Sequence, residues 1–466
     1  MQTHDAPAQM ALQGPLEPFQ YTLALGLGAF RSVRPRRPLL VSTPLHGARV
    51  ILPNREQVVI PARRLDDTIP QDHFVRWIFR MVLLLDLSLF YSWIRSRVGH
   101  AGRPATDPAI LITLWIYAFC DGVTSARQLD ELCQFHDVYR WVLGQAATNA
   151  HTLSEFRTAH CKPLMALHQS ALSKMESLKL IDSSCQAQDG MRVRACAGAA
   201  SFHREETTRE LLSALETAPA APTASEPAQD PAQQAQEPTA QQRAACVRAA
   251  KELKGRLTQA LDLLPKLPVK KSKDGKAKEP RASSTDAEAR VMKMANGGFN
   301  PAYNIQFSTT TKDKVILEFG ATNQGSDKNQ MIPILKKLDK QGRKPKKMLV
   351  DGGFGKKAAI TEAAQMGIEV YSPEQKQKKS PANTPKAGDS PEVAEWRLRM
   401  ATEPAKELYR QRAATAELVN ADLRAHGLVI RVRGTRKVRM IVAWAVIAYN
   451  LRRWHSLEQA QAARSA

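Results

Sequence analysis

Apolar residues recur at helical spacing over a long stretch of the chain, residues 66–180. Three helix starts can be placed within it. Asp107-Pro108 combines an N-cap with proline at the first helical position, and residues 125–128 and 152–155 fit capping boxes. These signals predict an all-α module. Short helices with tight turns suit a helix-turn-helix DNA reader and also a plain helical bundle. The helical spacing is seen first in Phe74, Trp77, Ile78, Met81, Val82 and Leu85.

The pattern changes to alternation after about residue 300. Residues 304–309 and 315–321 alternate polar and apolar side chains, and the polar segment between them predicts a hairpin. Helices and strands then follow each other, which predicts an α/β fold with a mixed sheet and flanking helices. The predicted elements are a helix at 327–340, a strand at 348–351, a helix at 356–366, a strand at 368–371, a helix starting near Pro404 and a last helix at 438–451.

Several segments lack such periodicity. Residues 1–62 contain scattered prolines and are predicted to be an extension. Residues 218–242 interrupt a helical stretch with an Ala/Pro/Gln/Thr-rich sequence that cannot pack a core, so we predict a flexible insertion there. The Lys-rich run at 266–281 is interpreted as a solvated linker, and residues 372–403 as a polar connection.

Two aspartates occupy distinctive positions in this pattern. Asp189 lies on the apolar face of the alternating segment 185–195, and Asp351 ends the apolar run 348–351, where open α/β sheets bind their ligands. Each is followed by glycine, and an Asp-Gly pair is also typical of a simple turn. The alternation nevertheless places Asp189 inside a strand. A carboxylate on the buried face of a strand must be neutral, paired or metal-bound.

A third acid, Glu417, lies on the helix that starts near Pro404. Arg410 and Arg424 are each seven residues away, so the three side chains share one stripe of the helix. Taken alone, the stripe is better explained as a solvated face with intrahelical ion pairs. However, the chain from Lys406 onward carries twelve Lys and Arg against four Asp and Glu, an excess that suits contact with a phosphate backbone.

Composition narrows the possible partners. The net charge is +22, from 67 Lys and Arg against 45 Asp and Glu, which points to nucleic acid or another anionic surface. The six cysteines show no CxxC spacing, so neither a zinc ribbon nor a disulfide framework is expected. The longest apolar runs, 109–120 and 440–451, are too short to span a bilayer, and we therefore expect a soluble cytoplasmic protein without a membrane partner.

The order of the three acids, on a strand, at a strand end and on a helix, resembles that of the DDE transposases of bacterial insertion sequences. The resemblance covers residues 66–455. The strings that carry it are 102–108 and 154–157 in the helical module, Gln188-Asp189-Gly190, 286–290, 297–306, 350–355, 409–417, and Arg433-Gly434 with Lys437-Val438.

This resemblance implies an RNase H-like mixed sheet with flanking helices, preceded by an all-α module and carrying a helical, low-complexity insertion after the first catalytic strand. The implied segments are an extension at 1–62, a helical DNA-binding module at 63–180, a catalytic domain at 181–455 with its insertion at 204–290, and a tail at 456–466.

The resemblance also implies an activity. Asp189, Asp351 and Glu417 would bind two Mg²⁺ (or Mn²⁺) ions, which support cleavage of the element ends and joining of the 3′-OH to target DNA. The implied partners are double-stranded DNA, both the terminal inverted repeats and the target, and a second copy of the chain in a homodimer or larger synaptic complex. The implied location is the bacterial cytoplasm, at the nucleoid. The implied DNA-binding residues are Arg103, Arg192, Tyr409, Arg410, Arg412, Arg424 and Arg433.

Two departures from the family pattern are visible. Arg424 stands where the family has lysine, which keeps the charge, and Ser308-Thr309 replaces a segment that often ends in an acid. Three alternatives stay open: an inactive or domesticated DNA-binding protein of the same fold, an RNase H-like nuclease without strand transfer, and a ribosome-associated basic protein. The last leaves the Asp-Gly motifs unexplained.

Overall fold

A computed structural model of the protein describes residues 63–144, 146–217, 239–271, 277–374 and 383–465. It also describes Gly47, Pro53 and the short strands Val50–Ile51 and Val58–Val59. The predicted extension at 1–62 therefore lies almost entirely outside the described residues, as does most of the low-complexity segment at 218–242.

Helices form most of the described chain between residues 65 and 180, as the apolar spacing predicts. The exception is the short strand Ala105–Thr106, which pairs in parallel with Val50–Ile51. Asp107 caps the third helix, where its Oδ1 accepts a hydrogen bond from the Ala109 N–H at 2.8 Å. Ser125 caps the fourth helix as predicted. After the short 3₁₀ turn Leu65–Thr68, the helices are α1 Phe74–Leu84, α2 Ser88–Ser92, α3 Pro108–Cys120, α4 Ala126–Phe135, α5 Asp137–Leu143, α6 Ala150–Ala159 and α7 Cys161–Ser177.

The capping box predicted at 152–155 is wrong. Helix α6 begins at Ala150, and its cap is Asn149, whose Oδ1 accepts a hydrogen bond from the Thr152 N–H at 2.9 Å. Asparagine caps a helix at least as well as threonine, and it comes three residues earlier. Thr152 therefore lies within the first turn.

A six-stranded mixed sheet follows the helical module. Its first strand, β1, is central: β3 pairs with it antiparallel on one side, and β5 pairs with it in parallel on the other. The outer edge of β3 pairs antiparallel with β2 and β4, which confirms the predicted hairpin, and β6 pairs in parallel with β5. This order confirms the predicted RNase H-like α/β fold. The strands are β1 Cys185–Arg194, β2 Arg290–Lys293, β3 Phe299–Thr310, β4 Ile316–Thr322, β5 Lys347–Val350 and β6 Glu369–Tyr371.

The insertion leaves the sheet after β1 and returns at almost the same point. Its helices α8, Glu205–Thr217, and α9, Ala240–Leu263, pack against each other. The short strands Phe202–His203 and Ala282–Ser283 pair antiparallel at its base. A separate small apolar cluster, formed by Ala260, Leu264, Ala282 and Ala287, stabilises this junction.

Among the described residues, five more helices accompany the second half of the sheet, and three differ from the prediction. The first of them, Met331–Lys340, starts four residues later than the predicted helix at 327–340. The segment 372–403 contains a helix that the interpretation as a polar connection missed. Ser390 caps it, Pro391 takes its first position, and Trp396 and Met400 are buried at helical spacing. The helices are α10 Met331–Lys340, α11 Lys357–Gln365, α12 Pro391–Ala401, α13 Glu403–Ala425 and α14 Thr435–Ser465.

The last helix is longer than predicted. It was expected at 438–451 with a separate tail from 456, but α14 continues to Ser465. The sequence after Leu451 contains no glycine or proline to stop it, and Trp454 remains buried. Among the described residues, no helix is both long enough and apolar enough to cross a bilayer.

Helix α14 joins the helical module to the sheet. The indole N–H of Trp444 donates to the Arg157 carbonyl of α6 at 3.1 Å, and the Tyr449 hydroxyl donates to the Lys314 carbonyl beside β4 at 2.7 Å. Asn450 pairs with both backbone groups of Ile316. One continuous apolar core therefore contains residues of the module, of the sheet and of α14.

Candidate active site

Asp189 lies in the middle of β1, opposite Phe307 of β3. Its side chain points to α13, which packs across the sheet at this place. The Arg412 guanidinium lies 3.3 Å from Asp189 Oδ1, and the Asn420 amide donates to Oδ2 at 3.2 Å. The half-buried carboxylate is thus held by two side chains of one helix.

The electrostatics around Asp189 oppose its negative charge. Burial raises the pKa of its carboxyl group, the Arg412 guanidinium lowers it, and repulsion from Asp327 and Asp351 raises it again, so that the pKa lies above its ordinary value. The effect of Asp351 places the two predicted catalytic aspartates within electrostatic range of each other. A bound cation would relieve this repulsion.

Gly190 follows Asp189 inside the strand, and its role is steric. A Cβ atom there would lie 2.3 Å from Asp327 Oδ1 and 2.5 Å from Gln306 Nε2. These two atoms are themselves hydrogen-bonded at 2.8 Å, so neither can move away freely. Glycine is therefore required here because side chains approach closely on the face of the sheet opposite Asp189. It is not required to form a turn.

We expect Gly190→Ala to lower the free energy of unfolding by about 1–3 kcal/mol, the usual cost of an extra methyl group in a filled interior. Thermal unfolding measures this. Gly298→Ala is the matched control, since its Cβ would meet nothing closer than 3.5 Å. Equal stability of the two variants would contradict the steric role of Gly190.

A buried polar network occupies that opposite face. Gln188 donates to Gln306 at 3.1 Å, and both Gln306 and Asn304 donate to Asp327 Oδ1, at 2.8 and 2.7 Å. Arg192 completes it with an ion pair to Asp327 at 3.3 Å. Arg192, predicted to bind DNA, is thus a residue of β1 whose side chain pairs with the loop between β4 and α10.

Asp351 directly follows β5 and is exposed. Its backbone carbonyl accepts hydrogen bonds from the Phe354 N–H at 2.9 Å and from the Ser372 hydroxyl at 3.3 Å. Gly355 makes this turn possible, because a Cβ there would lie 2.8 Å from Ser372 Oγ. The backbone of Asp351 is therefore fixed, while its carboxylate forms no hydrogen bond or ion pair with any described residue.

Glu417 is placed differently. It is exposed on α13, as are Arg410 and Arg424, so the predicted stripe is a solvent-facing surface in which Arg410 pairs with Glu407. Among the described residues, no three carboxylate, histidine or cysteine side chains come close enough to form a metal site. The structure thus brings Asp189 and Asp351 together, and Glu417 lies outside this pair.

Of the other predicted site residues, Tyr409 lies beside the aspartates, whereas Arg103 and Arg433 lie in other parts of the chain. Tyr409 is half-buried beside the aspartates: burial raises the pKa of its hydroxyl, Arg412 lowers it, and both aspartates raise it. Arg103 belongs to the helical module, where it lines a cavity of about 350 Å³ together with Trp93 and Phe156. Arg433 is exposed between α13 and α14.

Sequence reasoning missed Asn420 and Asp327. Asn420 lies eight residues after Arg412, a spacing that puts both on one face of a helix. An asparagine inside a helix is uncommon enough to have been a signal. Asp327 gave no such signal, since it was predicted to start a helix that in fact begins at Met331.

Two family models match the chain. The transposase domain DUF772 matches residues 63–159, and the transposase DDE domain matches residues 268–451. The chain is a DDE transposase of the insertion-sequence type. The second match contains Asp351 and Glu417, whereas Asp189 precedes it. Comparison with curated proteins and with solved structures finds no match to this transposase.

DDE transposases use divalent metal ions, and the residues of this site fit such ions in part. Asp189 and Asp351 offer the hard oxygen donors that Mg²⁺ and Mn²⁺ prefer, in a place where their mutual repulsion favours a cation. The Arg412 guanidinium supplies the compensating charge in the described structure.

Proposed function

We propose that this transposase cleaves the ends of its element and joins the freed 3′-OH to target DNA, with Asp189, Asp351 and Glu417 as its catalytic carboxylates. The observation that carries the proposal is the approach of Asp189 and Asp351 at the centre of an RNase H-like sheet, under an arginine-bearing helix. Asp189 in the middle of β1 and Asp351 just after the adjacent parallel strand β5 form a site suited to phosphoryl transfer.

Asp189 and Asp351 would hold two Mg²⁺ (or Mn²⁺) ions from the sheet, and Glu417 would join them from α13. When bound, such ions activate the attacking oxygen and stabilise the leaving 3′ oxygen of an in-line displacement. Glu417 is exposed about one turn before Asn420, so its recruitment requires a movement of its side chain or of α13. The hydrogen bond from Asn420 orients the Asp189 carboxylate.

Arg412 has a second task in this proposal. Its Nε is buried and has no hydrogen-bond partner among the described residues, while its terminal nitrogen contacts Asp189. A guanidinium can bind a phosphate and a carboxylate at the same time because its donors form a rigid fork. We therefore assign to Arg412 the phosphate beside the cut bond, and to Tyr409 a contact with the neighbouring nucleotide.

The exposed arginines extend this surface along the DNA. Arg410 and Arg424 lie on the free face of α13, and their charges suit backbone phosphates. Arg192, Arg433 and Arg103 are proposed as further contacts.

The helical module at 63–180 would read the terminal inverted repeats, and the catalytic domain would span 181–455 with its insertion at 204–290. Bringing two ends together implies a homodimer or a larger complex. We propose that it acts on the nucleoid of a bacterial cytoplasm.

A labelled duplex carrying the element end tests the function. With Mg²⁺ or Mn²⁺ we expect a nick that exposes the 3′-OH, followed by joined product when target DNA is added, and neither product in EDTA. Cleavage without joining would identify a nuclease of the same fold. Binding without cleavage in either metal would identify an inactive DNA-binding protein.

A further inference from the structure

A second basic cluster lies away from the aspartates, in a cleft between the helical module and the segment that joins α13 to α14. Three arginines line it: Arg127 at the start of α4, Arg157 in α6 and Arg431 after α13. His151 and the hydroxyl-bearing Ser125 and Ser154 line it as well. Hydrogen-bond donors in the cleft thus come from segments that are about 300 residues apart in the sequence.

Arg157 is the unusual member of this cluster. Only 6% of its surface is exposed, and it forms no ion pair with any acid among the described residues. One terminal nitrogen donates to the Thr124 carbonyl, and the guanidinium stacks over the Trp115 ring at 4.8 Å, but the buried Nε has no hydrogen-bond partner among the described residues. Burying a cation without an anion is costly, so this arginine is suited to bind an anion.

The surroundings of Arg157 add positive charge. Burial and, as a smaller cause, the neighbouring Arg431 guanidinium together lower the pKa of Arg157 to about 10. Arg127 and Arg431 are exposed and form no ion pair among the described residues. Glu155 lies 3.9 Å from His151, but both side chains are largely exposed, so this contact neutralises little.

Two helix N-termini open into the same cleft. Ala126 and Arg127 begin α4, and Ala150 and His151 begin α6. The first N–H groups of a helix have no partner within it, and its dipole favours a negative charge there. Each helix has ten residues, long enough for this effect. The backbone therefore supplies further anion donors beside the three guanidinium groups.

We infer that this cleft is a second DNA-binding site of the transposase, in which Arg127, Arg157 and Arg431 bind backbone phosphates away from the bond that is cut. The inference rests on the proposed function, which makes DNA the partner. A phosphodiester suits the cleft because its charge is spread along a chain, and the exposed Arg127 and Arg431 can each take a phosphate on either side of the buried Arg157. Such contacts fix register on the duplex without reading bases.

The test uses the full chain with Arg127 and Arg431 both changed to alanine. These side chains are exposed, so the fold is expected to persist, whereas Arg157 also supports the module through Thr124 and is left unchanged. The matched control changes Arg243 and Arg464, which are exposed on α9 and at the end of α14, and removes the same charge. Fluorescence anisotropy in EDTA measures the affinity for an element-end duplex over a series of salt concentrations.

We expect each lost phosphate contact to reduce affinity about fivefold at 0.15 M salt and to reduce the salt slope by about 0.9, the value for one phosphate on duplex DNA. The control is expected to change neither quantity. Identical affinity and slope for the two double variants would overturn the inference. If inorganic phosphate raises the melting temperature of wild type but not of R127A/R431A, while DNA affinity is equal in both, the cleft binds small anions, and the inference is again wrong.

These outcomes are separate from a failure of the proposed function. The proposed function fails when wild type itself does not cleave the element end with Mg²⁺ or Mn²⁺ present, whether or not it binds the DNA. When wild type cleaves and the double variant binds like the control, only the assignment of the cleft fails.

Discussion

Asparagine in place of Asp351 is expected to reduce metal-dependent cleavage by about 10³-fold or more while DNA affinity stays unchanged. A metal ligand contributes through charge, and several kcal/mol of lost transition-state stabilisation correspond to three decades in rate. The Asp351 side chain is exposed, and the hydrogen bonds that hold the turn come from its backbone carbonyl, so an amide of the same shape leaves the turn intact. The measurement is single-turnover cleavage of a labelled element end, with anisotropy for binding.

The control for this variant is Asp72→Asn, which removes an exposed carboxylate just before α1. It is expected to cleave like wild type. Asp351 is a sharper test than Asp189, since Asp189 also holds Arg412 and Asn420 and its loss would disturb α13. Cleavage by Asp351→Asn at the wild-type rate would remove Asp351 from the catalytic site.

The second large effect is expected at Arg397, on α12. Its side chain is 3% exposed and pairs with Glu374, which follows β6, and with Asp389 at 2.7 Å. Burial alone would raise the pKa of Glu374, but hydrogen bonds from Lys386 and Arg397 lower it to about 2. Arg397→Met removes the partner that the two carboxylates share, while Lys386 still pairs with Glu374 and Lys357 with Asp389. We expect the free energy of unfolding to fall by about 1.5–3 kcal/mol, the usual contribution of a hydrogen bond to a charged group.

Urea unfolding followed by tryptophan fluorescence measures this loss. Arg410→Met is the matched control: its pair with Glu407 is about 70% exposed on both sides, and such pairs contribute at most about 1 kcal/mol. We also expect Arg397→Met to slow cleavage, because the segment after β6 supports the turn of Asp351 through Ser372. Equal losses in the two variants would show that the Arg397 network does not stabilise the fold.

Local patterns predicted the architecture well, and the reasons are visible in particular residues. The alternation of polar and apolar residues identified β3 and β4, and the polar segment between them marked the turn of the hairpin. It also placed Asp189 inside a strand although Asp-Gly is typical of turns. Helix α12 was missed because Pro, Lys and Ser dominate the segment before it, although Ser390-Pro391 is a standard start signal.

The candidate site itself could be predicted only in part, since its contacts join distant parts of the chain. Arg412 and Asp189 are 223 residues apart, and periodicity within α13 could not show that Arg412 faces inward while Glu417 faces solvent. The polar network of Gly190, Gln306 and Asp327 likewise depends on three segments that meet only in the folded sheet. The resemblance to transposases predicted the role of the acids. Their immediate partners could be identified only from the folded structure.

Helix α14 has a consequence for where the DNA is cut. It is buried against α6 at Trp444 and against β4 at Asn450, so a single rigid rod runs from the module that would read the inverted repeat to the sheet that carries Asp189. In the proposed function, this helix would fix the distance from the recognised sequence to the broken phosphate, and with it the number of base pairs between them.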